Sequence, residues 1–324
     1  MSNVPVSVII PAYNCEKSIT EALDSVFNQT DRPIEVIVVD DGSTDKTAET
    51  VKNYQISKAN KAYKTNETNK TDVDLIYIHQ QNSGPSRARN TGIKAARGEY
   101  IAFLDADDLW TADKLDKQVQ LFKREQRIDV IFCNVKTTKS KNGKVESFIM
   151  FDRNKLNKNY FGHDYIVLNP FEKLLKTNFM LTPAVIAKKS CFKDGLFFNE
   201  KRQYAEDWEL WLKMSLRLTF GYVADVCVHV RDEGDGFCSK EDKMLLSCLD
   251  IMEDFLKENA SEVSLHISKK ELSQHIKTTY KRVGYYFVSH KNRSLARKLF
   301  KKSLQEGFDV KTLLYYLKSL LFLS

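Results

Sequence analysis

Three carboxylates within four residues, Asp105, Asp107 and Asp108, stand where the apolar run Tyr100-Ile-Ala-Phe-Leu104 stops abruptly. Acids crowded in this way repel one another, and burying any of them is costly unless a positive charge or hydrogen-bond donors compensate. A hard divalent cation, Mg2+ or Mn2+, suits such oxygen ligands and keeps positions open for substrate phosphates. The plain structural alternative for a lone D-x-D-D is an acidic turn that starts the next helix, with Thr111 as its N-cap. What else the chain places nearby decides between them.

The elements that must position these acids follow from the apolar pattern. Val6-Ser-Val-Ile-Ile10 is a short β-branched run. It leads through Pro11-Ala-Tyr-Asn14 to Ile19, Ala22, Leu23, Val26 and Phe27, a spacing that predicts a helix with one inward face. A second run, Ile34-Glu-Val-Ile-Val-Val39, ends in Asp40-Asp41-Gly42-Ser43-Thr44-Asp45 before a helical segment to about Tyr54. A third, Leu75-Ile-Tyr-Ile78, leads through Gln80-Gln-Asn-Ser-Gly-Pro85 into a predicted helix over 86–96, and the fourth run precedes the acid cluster. Strands that alternate with helices and read as nearly unbroken apolar runs predict a parallel sheet covered on both faces. In such sheets ligands collect at the carboxyl ends of the strands. Every odd polar cluster here lies at such an end: Tyr13 with Asn14, Asp40 with Asp41, Asn82 with Arg89, and Asp105 to Asp108. One convergent site is the economical expectation. The chain has no G-x-G-x-x-G after its first strand and no G-x-x-x-x-G-K-[ST], which argues against a dinucleotide oxidoreductase and a P-loop NTPase. Phosphates at this site would have to be neutralised by metal and Arg.

Ser7-Val-Ile-Ile-Pro-Ala-Tyr-Asn14, Glu35-Val-Ile-Val-Val-Asp-Asp-Gly-Ser-Thr-Asp45, Asn82-Ser-Gly-Pro-Ser-Arg-Ala-Arg-Asn-Thr-Gly92 and Gly98-Glu-Tyr-Ile-Ala-Phe-Leu-Asp-Ala-Asp-Asp108 resemble, in order, four motifs of the family 2 glycosyltransferases. The resemblance covers roughly residues 5–240. It implies an α/β, GT-A fold: a Rossmann-like, mostly parallel sheet with helices on both faces. It also implies inverting transfer from a nucleotide sugar. By the same resemblance Tyr13 packs on the base, and Asp41 accepts from a base N–H, which favours uracil because its N3 carries a hydrogen. Asn82 and Arg89 then flank base and phosphates. Asp105, Asp107 and Asp108 serve ribose and metal, with Asp107 or Asp108 as the direct ligand. Pro11 and Ser239 are counted among the donor contacts.

A fifth motif, Glu206-Asp-Trp-Glu-Leu-Trp-Leu-Lys-Met214, resembles the segment that the family places at the mouth of the acceptor site, at a helix start. The N–H groups and positive dipole end of such a start tend to keep a carboxylate ionised. The resemblance makes Asp207 the general base that takes the acceptor hydroxyl proton, with Glu206 and Trp208 on the acceptor side and a metal stabilising the departing diphosphate. The alternative is that Glu206 and Asp207 cap the helix while Trp208, Trp211 and Leu212 pack its inner side. Thr182-Pro-Ala-Val-Ile-Ala187 reads as a strand, and the resemblance implies an acceptor-side wall there. His229-Val-Arg231 with Gly234-Asp-Gly-Phe-Cys-Ser239 stands where the family has a loop closing over the diphosphate. Family members often show Arg then His two residues on, and here the order is reversed. Arg231 is counted as a donor contact, and His229 is left without a role.

The 324 residues allow a catalytic domain over 1–240 and a helical, basic extension over 241–324. Six Cys without a C-x-x-C pair read as reduced thiols in a cytoplasm, and the early first strand leaves no room for a signal peptide. The polar stretches 55–72 and 136–158 read as a surface insertion and an acceptor-side loop. Residues 269–302 hold eleven Lys or Arg against one acid, Glu271, with aromatic and Leu residues at helical intervals. The final apolar segment, Leu313 to Leu323, is broken by Lys318 and too short to span a bilayer. It suits peripheral contact with an anionic membrane as well as it suits a helical cap. A net charge of +7 is modest for this length, and a carboxylate-rich cleft repels a polyanion, so no nucleic-acid partner is expected.

The expectation is a metal-dependent inverting hexosyltransferase. It would move a sugar from a UDP-sugar to a glycan or lipid-linked glycan hydroxyl in bacterial surface polysaccharide (O-antigen or capsule) assembly. A sugar-phosphate nucleotidyltransferase would carry a glycine- and Lys/Arg-rich loop where Pro11-Ala-Tyr-Asn14 stands. A non-catalytic UDP-binding scaffold would not need its acids intact. With neither transmembrane helices nor a Q-x-x-R-W segment, single additions are expected rather than processive synthesis.

Overall fold

The computed structural model describes residues 3–64, 73–141, 144–232 and 241–321. Residues 1–239 and 240–324 form two compact units. In the first, nine strands build one sheet among the described residues. They are β1 (Asn3–Ala12), β2 (Arg32–Asp40), β3 (Asp74–His79), β4 (Tyr100–Phe103), β5 (Leu109–Trp110), β6 (Val130–Lys141), β7 (Lys144–Ile149), β8 (Ile186–Lys188) and β9 (Phe220–Asp232). Their order is β3-β2-β1-β4-β8-β6-β9-β5, with β7 on β6. β3, β2, β1 and β4 are mutually parallel, as are β6 and β9, and the other pairings are antiparallel. This is the α/β sheet the sequence predicts. β4 is buried throughout and β2 from Glu35 onward, which explains why they read as unbroken apolar runs.

Glu35 is the exception inside β2. Burial alone would raise its pKa, but Ser7 Oγ (2.5 Å), Arg97 N (2.6 Å) and Arg97 Nε (2.8 Å) all donate to it and hold it below the ordinary value. A carboxylate so satisfied joins β1, β2 and the entry to β4 at the amino end of the sheet.

Helix α1 (Ile19–Phe27) buries the five residues that its spacing selects. α2 (Thr47–Lys64) runs ten residues past Tyr54, where a loop was expected; Lys and Ala sustain a helix there, and Gln55 Nε2 ties it to Leu75 O (2.5 Å). Residues 65–72 of that stretch lie outside the described residues. α3 (Pro85–Ala95) starts with Pro in its first turn, after Gly84 at φ +91°. α4 (Lys114–Arg124) has Asp113 at its N-cap and not Thr111, whose carbonyl accepts from Lys114 N (3.2 Å). The expected loop over 136–158 is largely the β6–β7 hairpin, followed by the short helices α5 (Met150–Arg153) and α6 (Lys158–Phe161). Its polarity reflects exposure of β7, not absence of pairing. α7 (Pro170–Lys176) follows. Thr182–Ala184 is a 3-10 turn and β8 begins only at Ile186, because Pro183 cannot donate to a ladder. α8 (Glu206–Ser215) then precedes β9.

The second unit is helical: α9 (Glu241–Glu258), α10 (Ala260–Val263), α11 (Lys269–Ser289), α12 (Arg293–Glu306) and α13 (Val310–Leu321). Ser268 and Glu271 close a capping box on α11, and Asn292 caps α12. α11 and α12 pack so closely at Gly284 that a Cβ there would lie 2.7 Å from Phe300 Cε1. No helix among the described residues is long and apolar enough to cross a membrane.

Candidate active site

The chain leaves β1 toward β2 and β3 on one side and returns to β4 on the other, so the sheet order reverses at β1. Doubly wound sheets bind ligands in the crevice that opens at such a point, beyond the carboxyl ends. Register puts Ala12 beside Asp40, Asp40 beside His79 and Ile9 beside Phe103. Tyr13, Asp41, Gln80 and Asp105 therefore rim the same edge.

Tyr13 stands 52% exposed at that rim, a ring open to stacking. Asn14, at φ +49°, ties the turn below it to the end of β2: its side-chain oxygen accepts from Thr44 N (2.8 Å) and its N–H donates to Ser43 Oγ (3.0 Å). Pro11 is half-buried within β1, paired with Val39. Asp41 is buried and accepts from Gln80 Nε2 (2.7 Å), Ser83 N (2.9 Å) and Gly84 N (2.7 Å). It thus fastens the loop before α3, and about one of its four lone-pair positions is left for a ligand donor. Gly42 underlies this loop. A Cβ there would lie 2.9 Å from Asn82 N, and φ +77° also favours glycine. Asn82 is exposed above it.

Arg89 is not turned toward open cleft. It is buried, and its two terminal nitrogens divide between Asp105 Oδ1 (2.8 Å) and Glu206 Oε1 (2.8 Å), while its Nε has no protein partner. The expectation that Arg89 flanks phosphate meets a guanidinium already committed to two carboxylates. It joins the end of β4 to the start of α8.

The acid cluster is split by environment. Asp107 is exposed, Asp105 partly so, and Asp108 is buried with Oδ1 accepting from Arg231 N (3.1 Å). Burial, then Asp105 and Asp107, push the Asp108 pKa well above the ordinary value. Arg231 closes the turn: Nε donates to Asp107 O (2.6 Å), a terminal nitrogen pairs with Glu21, and the other lies buried without a partner. Among the described residues no three His, Cys, Asp or Glu converge as a cage for a metal ion. As a donor set the acids of this turn are hard oxygens, with Asp107 exposed, and their chemistry fits Mg2+ or Mn2+. Ser239 lies outside the described residues, and His229 is kept toward its neutral form by burial and by Lys136.

Asp207 sits in the first turn of α8, with Oδ1 accepting from Trp208 N (2.6 Å) and Oδ2 from Thr182 Oγ1 (3.4 Å). The helix start was expected to hold it ionised. Burial and the neighbouring Glu206 outweigh that effect and the opposing charge of Arg89, and its pKa is pushed up to about 7. Trp208, expected on the acceptor side, is buried, and its Nε1 donates to Leu174 O (2.9 Å), which anchors α8 on α7. Trp211 is buried beside it, and its Nε1 donates to Met180 O (3.1 Å). Gln80 and Glu21 bond to candidate site residues without having been singled out, and Thr182, quoted only as the start of a strand, bonds to Asp207. Polar residues that act by orienting others carry no motif of their own.

A switch-point sheet of this order, with a mixed second half and an acid turn at its edge, is a GT-A-like fold. Residues 7–178 match the family model described as glycosyl transferase family 2, and the chain belongs to that family. An uncharacterized glycosyltransferase of Rickettsia bellii is 32% identical over 235 residues, 72% of this chain and 30% of that protein. The chain spans about a third of the length of several curated relatives it matches. Two solved structures share the fold. S. aureus TarS 1-349 in complex with UDP-GlcNAc has a TM-score of 0.58 at 20% identity, covering 94% of this chain and 92% of that one. The mannosyltransferase PcManGT from Pyrobaculum calidifontis in complex with GDP-Man and Mn2+ also has 0.58, at 16% identity, covering 99% and 88%.

Proposed function

We propose that this chain is an inverting glycosyltransferase that moves a sugar from a UDP-sugar to a hydroxyl of a glycan or lipid-linked glycan, in assembly of a bacterial surface polysaccharide. The observation that carries this reading is the Arg89 fork. One buried side chain ties the donor-side acid Asp105 to the helix start that bears Asp207, so the two halves of a transfer site face one cleft. Tyr13 stacks on the base, and Asp41 uses its remaining lone pair on a base N–H. The UDP-GlcNAc held by TarS supports uridine as that base. Asp105 serves the ribose, and Arg231 stands on the diphosphate side. Glu206, tied to Arg89, stands on the acceptor side.

Asp207, with a pKa near neutrality, accepts the acceptor proton as that oxygen attacks the anomeric carbon from the face away from the nucleotide. Thr182 and the Trp208 N–H fix the carboxylate's orientation. Asp107, the exposed acid of the cluster, would hold Mg2+ or Mn2+ with Asp108 behind it, and the ion when bound supplies electrostatic stabilisation of the leaving diphosphate. Holding two substrates in line does much of the remaining work. The thiols of Cys15, Cys133, Cys191 and Cys227, none of them in a disulfide, suit a reducing cytoplasm.

A thermal-shift screen of UDP-, GDP-, CDP- and dTDP-sugars with and without Mn2+ tests the donor. A UDP-sugar should raise Tm only with the metal, and a response to another nucleotide alone would reject the uridine reading. Asp207→Asn should abolish transfer while leaving UDP affinity within about threefold, because a general base acts in the transition state and not on the bound donor.

A further inference from the structure

On α13, Val310, Leu314 and Leu317 are 61%, 53% and 44% exposed, and Phe308 just before them is 70% exposed. At 100° per residue the three helical positions fall within about 60° of arc, and Lys311 and Lys318 line one flank of that stripe. The stripe is not the packing face. Thr312, Tyr315 and Ser319 point the other way: the Tyr315 ring lies 4.7 Å from that of Tyr285 and 6.0 Å from that of Phe300, and Ser319 O accepts from Arg297. Asp309 fixes the helix start, accepting from Thr312 N (2.7 Å) and from Lys281 Nζ (3.2 Å). Along the sequence of α11 to α13 the charge is one-sided. Residues 269–321 carry thirteen Lys or Arg against Glu271, Glu306 and Asp309, a net +10 in a chain of net +7. Lys298 and Lys301 on α12 are exposed, as is Arg293 at its start, while Lys302 pairs with Glu253 of α9.

We propose that α13 docks on an anionic lipid bilayer, with Val310, Leu314 and Leu317 below the headgroups and the lysines of α12 and α13 among the phosphates. Lipid is the occupant that satisfies both features at once. A nucleic acid would answer the charge but leave the apolar stripe facing a polyanion. A second copy would cover the stripe but set two strongly basic surfaces against each other. Three apolar side chains give weak insertion by themselves, so the attachment depends on anionic lipid and falls with salt. It stands independently of which sugar the first unit transfers.

The test is co-sedimentation of the full chain with vesicles of phosphatidylcholine plus phosphatidylglycerol, and with phosphatidylcholine alone. Binding to the anionic vesicles only, weakened at least about tenfold by high salt, is the expected result. Leu314→Glu with Leu317→Glu should lower it at least about tenfold while circular dichroism stays unchanged. Leu314→Trp keeps the stripe apolar, so it covers the case of a misfolded double variant; its added fluorescence should shift to the blue on anionic vesicles. Equal binding to both vesicle types, or none, overturns the proposal. So does an acidic double variant that still binds vesicles, or one that stays vesicle-bound while a dimer becomes a monomer in light scattering. Capture of a model RNA with no vesicle binding would assign the basic surface to nucleic acid instead.

Discussion

Asp207 and Arg89 carry opposite lessons about reading single residues. A carboxylate at a helix start is a sound expectation of an ionised group, yet it ignores the acid next door and the loss of water, which the fold imposes and the sequence does not display. With a pKa of about 7 in the folded protein against 3.8 as the ordinary value, Asp207 binds a proton that the unfolded chain releases between those limits. Its contribution to stability is therefore lost as pH rises toward and through 7. Two outcomes follow for Asp207→Asn. Transfer disappears, and Tm relative to wild type rises more at pH 8 than at pH 5, which calorimetry at the two values reads directly. The wild-type kcat/KM should fall on the acid side of about pH 7. A flat profile there would remove Asp207 from the role of base. Arg89 separates donor grip from positioning. Lys can hold one of the two carboxylates at a time, not both in a planar fork. Arg89→Lys should thus cost about 10- to 100-fold in kcat with UDP affinity changed less than about threefold, since a misplacement near 1 Å is enough for such a loss. Parallel loss of UDP binding would return Arg89 to the phosphate.

At the scale of elements, α3 has to reach the sheet closely for Arg89 to pass between Asp105 and Glu206. Gly92 permits that approach: a Cβ there would lie 2.5 Å from Ile9 Cγ2, and Ile9 is wholly buried in β1 with no room to yield. Gly92→Ala should cost about 1–3 kcal/mol by overpacking and weaken UDP binding through displacement of the loop that Asp41 holds; urea unfolding and a UDP titration measure the two effects. The strands and helices around this contact were legible because β1, β2 and β4 are largely buried and α1 buries one stripe, patterns that the order of apolar residues reveals. The hairpin at 130–149 was not, since β7 is exposed and its lysines resemble those of a loop. The late start of β8 and the length of α2 were hidden for the same kind of reason: a proline's missing donor in one case, and a mere tolerance for helix in the other. Within the site, the rim residues could be read from where the apolar runs stop. Their partners, Thr182, Gln80 and Glu21, could not, because hydrogen bonds across tens of residues leave no periodic trace.

Across the whole molecule the charge is divided unevenly. Residues 1–239 sum to +1 and residues 240–324 to +6, although the second unit is about a third as long. A nearly neutral first unit has little long-range attraction for an anionic surface, so any steering toward one has to come from the helical unit. Each unit has a core of its own: Val8, Ile37 and Phe103 in the first, Val283, Leu299 and Phe300 in the second. A fragment ending at residue 239 should therefore unfold cooperatively and keep UDP affinity within about threefold of the full chain, because all the proposed donor contacts lie within it. The two proteins should work equally on a water-soluble acceptor. On an acceptor embedded in anionic vesicles the fragment should lose at least about tenfold in rate at low salt, and high salt should erase most of that difference. If the fragment matched the full chain on vesicles at every salt concentration, the positive charge of residues 240–324 would have no part in bringing enzyme and acceptor together.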